Sequence, residues 1–322
     1  MIQTSATSKD VQAIVETLKN KSLSTLGQLT NELTRQALHF SPFYRNFINK
    51  ILQNSSLSVV HDYNNSRLVH LELGEEASTL SRRRKNKIFT NIRDVSALPH
   101  ELGHAVDFWF GHNNSMTSKI LLSNGQTFLE TFNTEFQEKK EVLYRVVMDE
   151  YIQIINSNIN ENAYAILSEY MPLYRKLLKI PEKTKEKKQK LLRKAIQEKL
   201  YKSGFMEMYL QLHLRKCTLS LNKKYSPILD ALSSEYDFEG LCLVYHDFDY
   251  YQENKDNAAH EFFANCFRAE VTSELHLFSK LEEYMPNSFN AFQELFHIIY
   301  EHIQYDKRFT DLTIKQGVTA HA

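Results

Sequence analysis

Ser96-Ala97-Leu98-Pro99-His100-Glu101-Leu102-Gly103-His104-Ala105-Val106-Asp107 is the stretch on which the reading of this chain turns. Asp94 and Ser96 are residues that cap helices, and Pro99 is tolerated in a first turn, so a helix is predicted from near Ala97 to about Phe110. Leu102, Ala105, Val106 and Trp109 give that helix a side to bury. His100 and His104 then stand one turn apart on one face, with the Glu101 carboxylate beside the first. Two imidazoles so spaced, with an adjacent Glu, are what a hydrolytic zinc site requires: two neutral ligands and a base for an activated water. Such a site needs a third protein ligand and one open position. No His or Asp follows His104 at the short spacing of the metzincins, so the third ligand is expected from far downstream.

Working outward, three short strands are expected before the helix, at Leu57 to His61, Arg67 to Leu73 and Lys87 to Ile92, with Asp62 to Ser66 a turn between the first two. Ser81-Arg82-Arg83-Arg84-Lys85-Asn86-Lys87 reads as a solvated loop. Val11, Ile14, Val15 and Leu18, then Leu26, Leu29, Leu33 and Ala37, follow helical spacing up to a break at Ser41-Pro42. Gly111 to Ser115 should stop the central helix, and Thr127 to Ser220 reads as several helices, including a very polar one at Glu182 to Lys199. Ser226-Pro227 is predicted to start a further helix, followed by a Tyr- and Asp-rich loop from His246 to Tyr251. Helices are also expected over Ala258 to Glu270 and Ser288 to about Tyr305.

Within Asn257-Ala258-Ala259-His260-Glu261-Phe262-Phe263-Ala264-Asn265, Glu261 is the leading candidate for the third ligand. An acid among so many aromatics is costly unless paired or bound to a cation. His260 and His246 are alternatives as ligands or substrate-binding groups. Asp107 is a candidate either to orient an imidazole or to form an ordinary salt bridge.

Composition narrows the class. The 322 residues carry 42% hydrophobic side chains but only 8 Gly and 6 Pro, which favours helices over turn-rich β architectures. Lys plus Arg and Asp plus Glu balance at 39 each, so there is no global field to draw in nucleic acid or an acidic membrane. Cys217, Cys242 and Cys266 lack metal-knuckle or redox spacing and read as buried thiols. No apolar run reaches the length of a membrane span. Met1 to Asp10 does not read as a secretory leader, so synthesis in the cytoplasm is expected, with leaderless export an open route.

The run from His100 to Asp107, joined to Asn257 through Phe267, resembles the catalytic domain of anthrax lethal factor and its relatives, among them the Pro-Pro endopeptidases and peptidases of phages and mobile elements. Tyr225 to Leu232 and Gly240 to Tyr251 are similar to the segment before the glutamate in phage-type members. The resemblance spans about 57 to 111 and 225 to 305. It implies His100, His104 and Glu261 as ligands of one Zn2+, Glu101 as base, and Tyr250 or Tyr251 as the donor that stabilises the oxyanion, with Tyr245 a weaker third. Two departures stand out. The long separation between His104 and Glu261 implies a helical insertion, and Asn265 stands where lethal factor has a further acid.

The expected architecture is α+β but mostly helical: a zincin-like metallopeptidase core with a small sheet and a large helical insertion. Its segments are a helical lead-in over 1–56, sheet and active helix over 57–112, the insertion over 113–224, the remaining core over 225–310, and a tail over 311–322. The expected activity is zinc-dependent endopeptidase action on a protein or peptide substrate. The alternative is a catalytically inactive binding or toxin-associated module of the same fold.

Overall fold

The computed structural model describes residues 8–21, 30–54, 57–62, 67–71, 85–91, 94–109, 115–158, 205–236 and 248–305. The basic residues 81–84, the chain stop at 111–114, the polar segment 182–199, Cys242, Tyr245, His246 and the tail 311–322 lie outside the described residues. What is described is mostly helical with little sheet. The chain divides into two compact units, 1–139 with 256–322, and 140–255. The second unit is displaced from the expected insertion at 113–224. It includes the residues just before Asp256, whereas 113–139 belong to the first unit.

In the first unit the lead-in forms α1 (Lys9–Lys21), α2 (Thr30–His39) and α3 (Arg45–Gln53). Val11, Ile14, Val15 and Leu18 are buried along α1, and Phe47, Ile48, Ile51 and Leu52 along α3, the stripe that a 3.6-residue repeat makes of such spacing. The chain turns at Ser41 to Tyr44, as the Ser-Pro break predicts. Strands β1 (Leu57–Asp62), β2 (Arg67–Leu71) and β3 (Lys85–Asn91) follow near the expected places, with one correction: Lys85 and Asn86, expected in the solvated loop, already belong to β3, paired with β2 and β1. They form a sheet ordered β1-β3-β2, with β1 parallel and β2 antiparallel to β3. Val59 faces Ile88 across the parallel pair, and both are fully buried.

The central helix α4 (Ala97–Trp109) packs on β3 and β2 and on a later helix, Asn257–Thr272. Its start is set by Asp94, whose Oδ1 accepts from the Ser96 N–H at 2.9 Å and from its hydroxyl at 2.6 Å. After the single turn α5 (Met116–Lys119), helix α6 (Phe128–Asn158) begins in the first unit and continues into the second.

The second unit also holds α7 (Phe205–Ser233) and α8 (Phe248–Glu253). The expectation that Ser226-Pro227 begins a helix is corrected: Pro227 lies inside α7. The ring removes the hydrogen bond to the Lys223 carbonyl, but Lys223 is exposed, so water can satisfy it. Burial of Tyr225, Ile228, Leu229, Ala231 and Leu232 around the proline offsets the rest.

The first unit closes with α9 (Asn257–Thr272), α10 (His276–Tyr284) and α11 (Pro286–Gln304). Three phenylalanines anchor α9. Phe262 meets Phe132 at 5.0 Å between ring centres, Phe263 meets Phe128 and Phe292 at 5.7 Å each, and Phe267 meets Phe296 at 5.7 Å. With so much of α9 held by rings, its remaining face is fixed in direction.

The start of α11 is capped from a distance. The Glu135 carboxylate, 1% exposed, accepts from the Ser288 N–H and hydroxyl at 2.7 Å each and from the Asn287 N–H at 3.2 Å, and it pairs with Lys139 at 2.8 Å. An anion there neutralises orphan donors and the positive helix end together. Glu135→Ala is expected to cost about 3 kcal/mol in chemical denaturation. A loss below about 0.5 kcal/mol, the level of an ordinary surface change, would show the cap to be dispensable.

Candidate metal centre

Helix α4 turns His100, Gly103, His104 and Asp107 toward α9, and α9 turns His260, Glu261 and Ala264 toward α4. Both sets follow the one-turn spacing of a single helix face. The helices approach closely because Gly103 has no side chain: a Cβ there would lie 2.8 Å from the Ala264 Cα and 3.1 Å from its carbonyl oxygen. This contact was not foreseen from the sequence. The signal available was two very small residues, each on the polar face of its helix and within one turn of a candidate ligand.

At this crossing His100, His104 and Glu261 come together. His100 Nε2 lies 3.1 Å from Glu261 Oε2, His104 Nε2 lies 3.3 Å from Glu261 Oε1, and the two Nε2 atoms are 3.2 Å apart. The Glu261 side chain is 1% exposed, while those of His100 and His104 keep 17% and 10% of their surface. The group can hold a metal ion. Two imidazoles and one carboxylate suit a borderline cation such as zinc. Atoms about 2.0–2.1 Å from a tetrahedral ion lie roughly 3.3–3.4 Å from each other; the two imidazole nitrogens stand near that spacing, and each meets a different oxygen of Glu261. Among the described residues His260 is not in the group, being engaged elsewhere, and His246 lies outside the described residues.

Glu101, 6% exposed, sits between the two histidines in sequence, and its charge reaches His104. The imidazole that Asp107 hydrogen-bonds is that of His260. Fully buried, Asp107 accepts at Oδ2 from His260 Nδ1 at 2.7 Å and at Oδ1 from the Thr117 N–H at 2.9 Å. Asn265 donates its side-chain amide to the Glu261 backbone carbonyl at 3.0 Å.

The tyrosines belong to the second unit. Tyr251 is 2% exposed and donates its hydroxyl to Asp230 Oδ1 at 3.2 Å, while Tyr250 is half-buried with its ring 5.1 Å from that of Tyr251. Of the cysteines, Cys217 and Cys266 are buried thiols. No described helix is long and apolar enough to cross a membrane.

Burial and charge act unequally on the two imidazoles. Burial drives His100 down to about 4 against the pull of Glu261. At His104 burial also pushes downward, but the Glu261 charge and hydrogen bond, with Glu101 and Asp107, outweigh it and raise the group to about 9. A metal needs both Nε2 lone pairs, so the His104 proton must leave on binding. Affinity for a divalent metal is therefore expected to climb as pH rises from neutrality towards about 9, with proton release in calorimetry run in two buffers. An affinity flat across that range would contradict a protonated His104. The opposite sign holds for the metal-free fold, whose gain from the raised His104 is present below its ordinary value of 6.5 and is lost as pH passes about 9.

Comparison of the chain with protein-family models, curated proteins and solved structures finds no match.

Proposed function

We propose that this protein is a zinc-dependent endopeptidase with a zincin-like core, in which His100, His104 and Glu261 hold one Zn2+ and Glu101 is the general base. The observation that carries the reading is the convergence of Glu261, far along the chain, on two histidines one helical turn apart, whose nitrogens stand near the spacing that suits a tetrahedral ion. Bound there, zinc would supply Lewis acidity, acidifying a water and polarising a peptide carbonyl.

The chain's own groups do the remainder. Glu101 takes a proton from the attacking water as the oxygen–carbon bond forms. It then delivers that proton to the departing amine nitrogen as the carbon–nitrogen bond breaks. Burial of Glu101 keeps bulk water from competing for this proton. The carbonyl oxygen gains charge during the attack, and a phenol is a suitable donor for it. The resemblance gives that role to Tyr250 or Tyr251, and the Tyr251 hydroxyl donates to Asp230 within a buried pair. Strands β1 and β2 flank β3, and the outer edge of one of them is where an extended substrate would add as a further strand.

The alternative of an inactive module of this fold called for Glu261 to stand away from the histidines, and the short separations weigh against it. The test is metal analysis of the purified full chain, with cleavage of a peptide library before and after a chelator. About one zinc per chain and chelator-sensitive cleavage within peptides are expected. Protein that binds no zinc, or cleavage indifferent to the chelator, would rule the reading out.

A further inference from the structure

The two ligand-bearing helices are joined at a second place, one turn beyond the triad. Asp107 on α4 and His260 on α9, immediately before Glu261, form a pair that is 0% and 5% exposed. A carboxylate can only accept, so in the 2.7 Å contact His260 Nδ1 is the donor. Thr117 closes the group from a third segment. Its N–H reaches Asp107 Oδ1 at 2.9 Å, its hydroxyl reaches Oδ2 at 3.2 Å, and the same hydroxyl oxygen is 3.3 Å from His260 Nδ1. Phe108 lies against the imidazole at 4.6 Å between ring centres, which limits its movement.

We propose that Asp107, His260 and Thr117 are positioning residues for the metal centre, a buried hydrogen-bonded clamp that holds Glu261 in register against His100 and His104. This rests on the metal reading above. The Gly103–Ala264 contact lets α4 and α9 approach but, being apolar and non-directional, does not stop them sliding or turning on one another. Directed hydrogen bonds at a second point do. Because His260 and Glu261 are neighbours on one rigid helix, fixing the first fixes the direction from which the second presents its oxygens. The clamp touches neither metal nor substrate, so it acts on the affinity of the triad and not on proton transfer. Thr117 is the second residue of α5, so the same group also ties that turn to α4 and α9.

The experiment measures zinc affinity by competition with a chelating dye, on full-length protein first shown to be folded. His260→Leu and Asp107→Leu keep volume and remove the bond, and each is expected to bind zinc about tenfold more weakly, in the range of outer-sphere partners. The double leucine variant should be no weaker than the worse single one, since either change already breaks the pair. His260→Asn, whose side-chain N–H can stand near the place of Nδ1–H, should recover most of the affinity. Where leucine prevents folding, Thr117→Val decides, with a few-fold loss expected. Wild-type affinity in the folded variants, with only a lower melting temperature, would overturn the clamp while leaving the metal reading intact. Wild-type protein that binds no zinc would overturn both.

Discussion

Glu101→Ala is expected to retain zinc at the wild-type level and to cleave peptides about a thousandfold more slowly, whereas Glu261→Ala is expected to lose the metal itself. The contrast follows from position. Glu101 is outside the group whose atoms converge, so its removal leaves two imidazoles and a carboxylate in place. What disappears is the acceptor for the water proton and the donor to the leaving nitrogen, a contribution of roughly 10²–10⁴ in rate for a positioned acid–base group. Glu261 contributes oxygens on both imidazoles, at 3.1 and 3.3 Å, and the only negative charge in the triad. Its loss should weaken zinc binding by more than about 100-fold, beyond what outer-sphere changes do. Metal content by elemental analysis and single-turnover cleavage separate the two cases. Peptide cleavage by Glu101→Ala at the wild-type rate would refute the assigned base, and undiminished zinc in Glu261→Ala would refute the third ligand.

Gly103→Ala is expected to destabilise the protein, although glycine to alanine inside a helix ordinarily stabilises by about 1 kcal/mol. The added Cβ would stand 2.8, 3.1 and 3.2 Å from the Cα, carbonyl oxygen and Cβ of Ala264. The two nearest of these are backbone atoms, so no rotamer change relieves the overlap. Helices α4 and α9 must part by roughly half an ångström, at a cost of about 1–3 kcal/mol or more that exceeds the propensity gain. Glu261 lies one turn before Ala264 and moves with it, so zinc affinity should fall together with stability. Thermal unfolding of the metal-free variant and a zinc titration test this. A raised melting temperature would mean that the helices are not in contact at Gly103.

Much of the first unit is legible as local pattern. Strands β1, β2 and β3 stand within two residues of their expected bounds, and α4 begins at Ala97 because the Asp94-to-Pro99 signals are chemical features of adjacent residues. Pro227 shows the limit of such signals. A proline rule describes a local cost, and in α7 the burial of five neighbouring side chains outweighs it. Asp107 shows another. Its spacing from His104 suits an imidazole partner, and it has one, but the imidazole is His260 from the other end of the chain. Nothing in the sequence near Asp107 marks that choice.

Sequence alone therefore determined that His100 and His104 share a helix face with Glu101 beside them, because the 3.6-residue repeat is a property of the backbone. It also made Glu261 conspicuous, as an acid among phenylalanines. Tertiary structure alone decided that Glu261 meets both imidazoles, that Gly103 and Ala264 let two helices touch, and that Asp107 grips His260. These are contacts between residues far apart in the chain, chosen by how the rings of α9 pack into the core and so orient its polar face, and no local periodicity encodes that orientation.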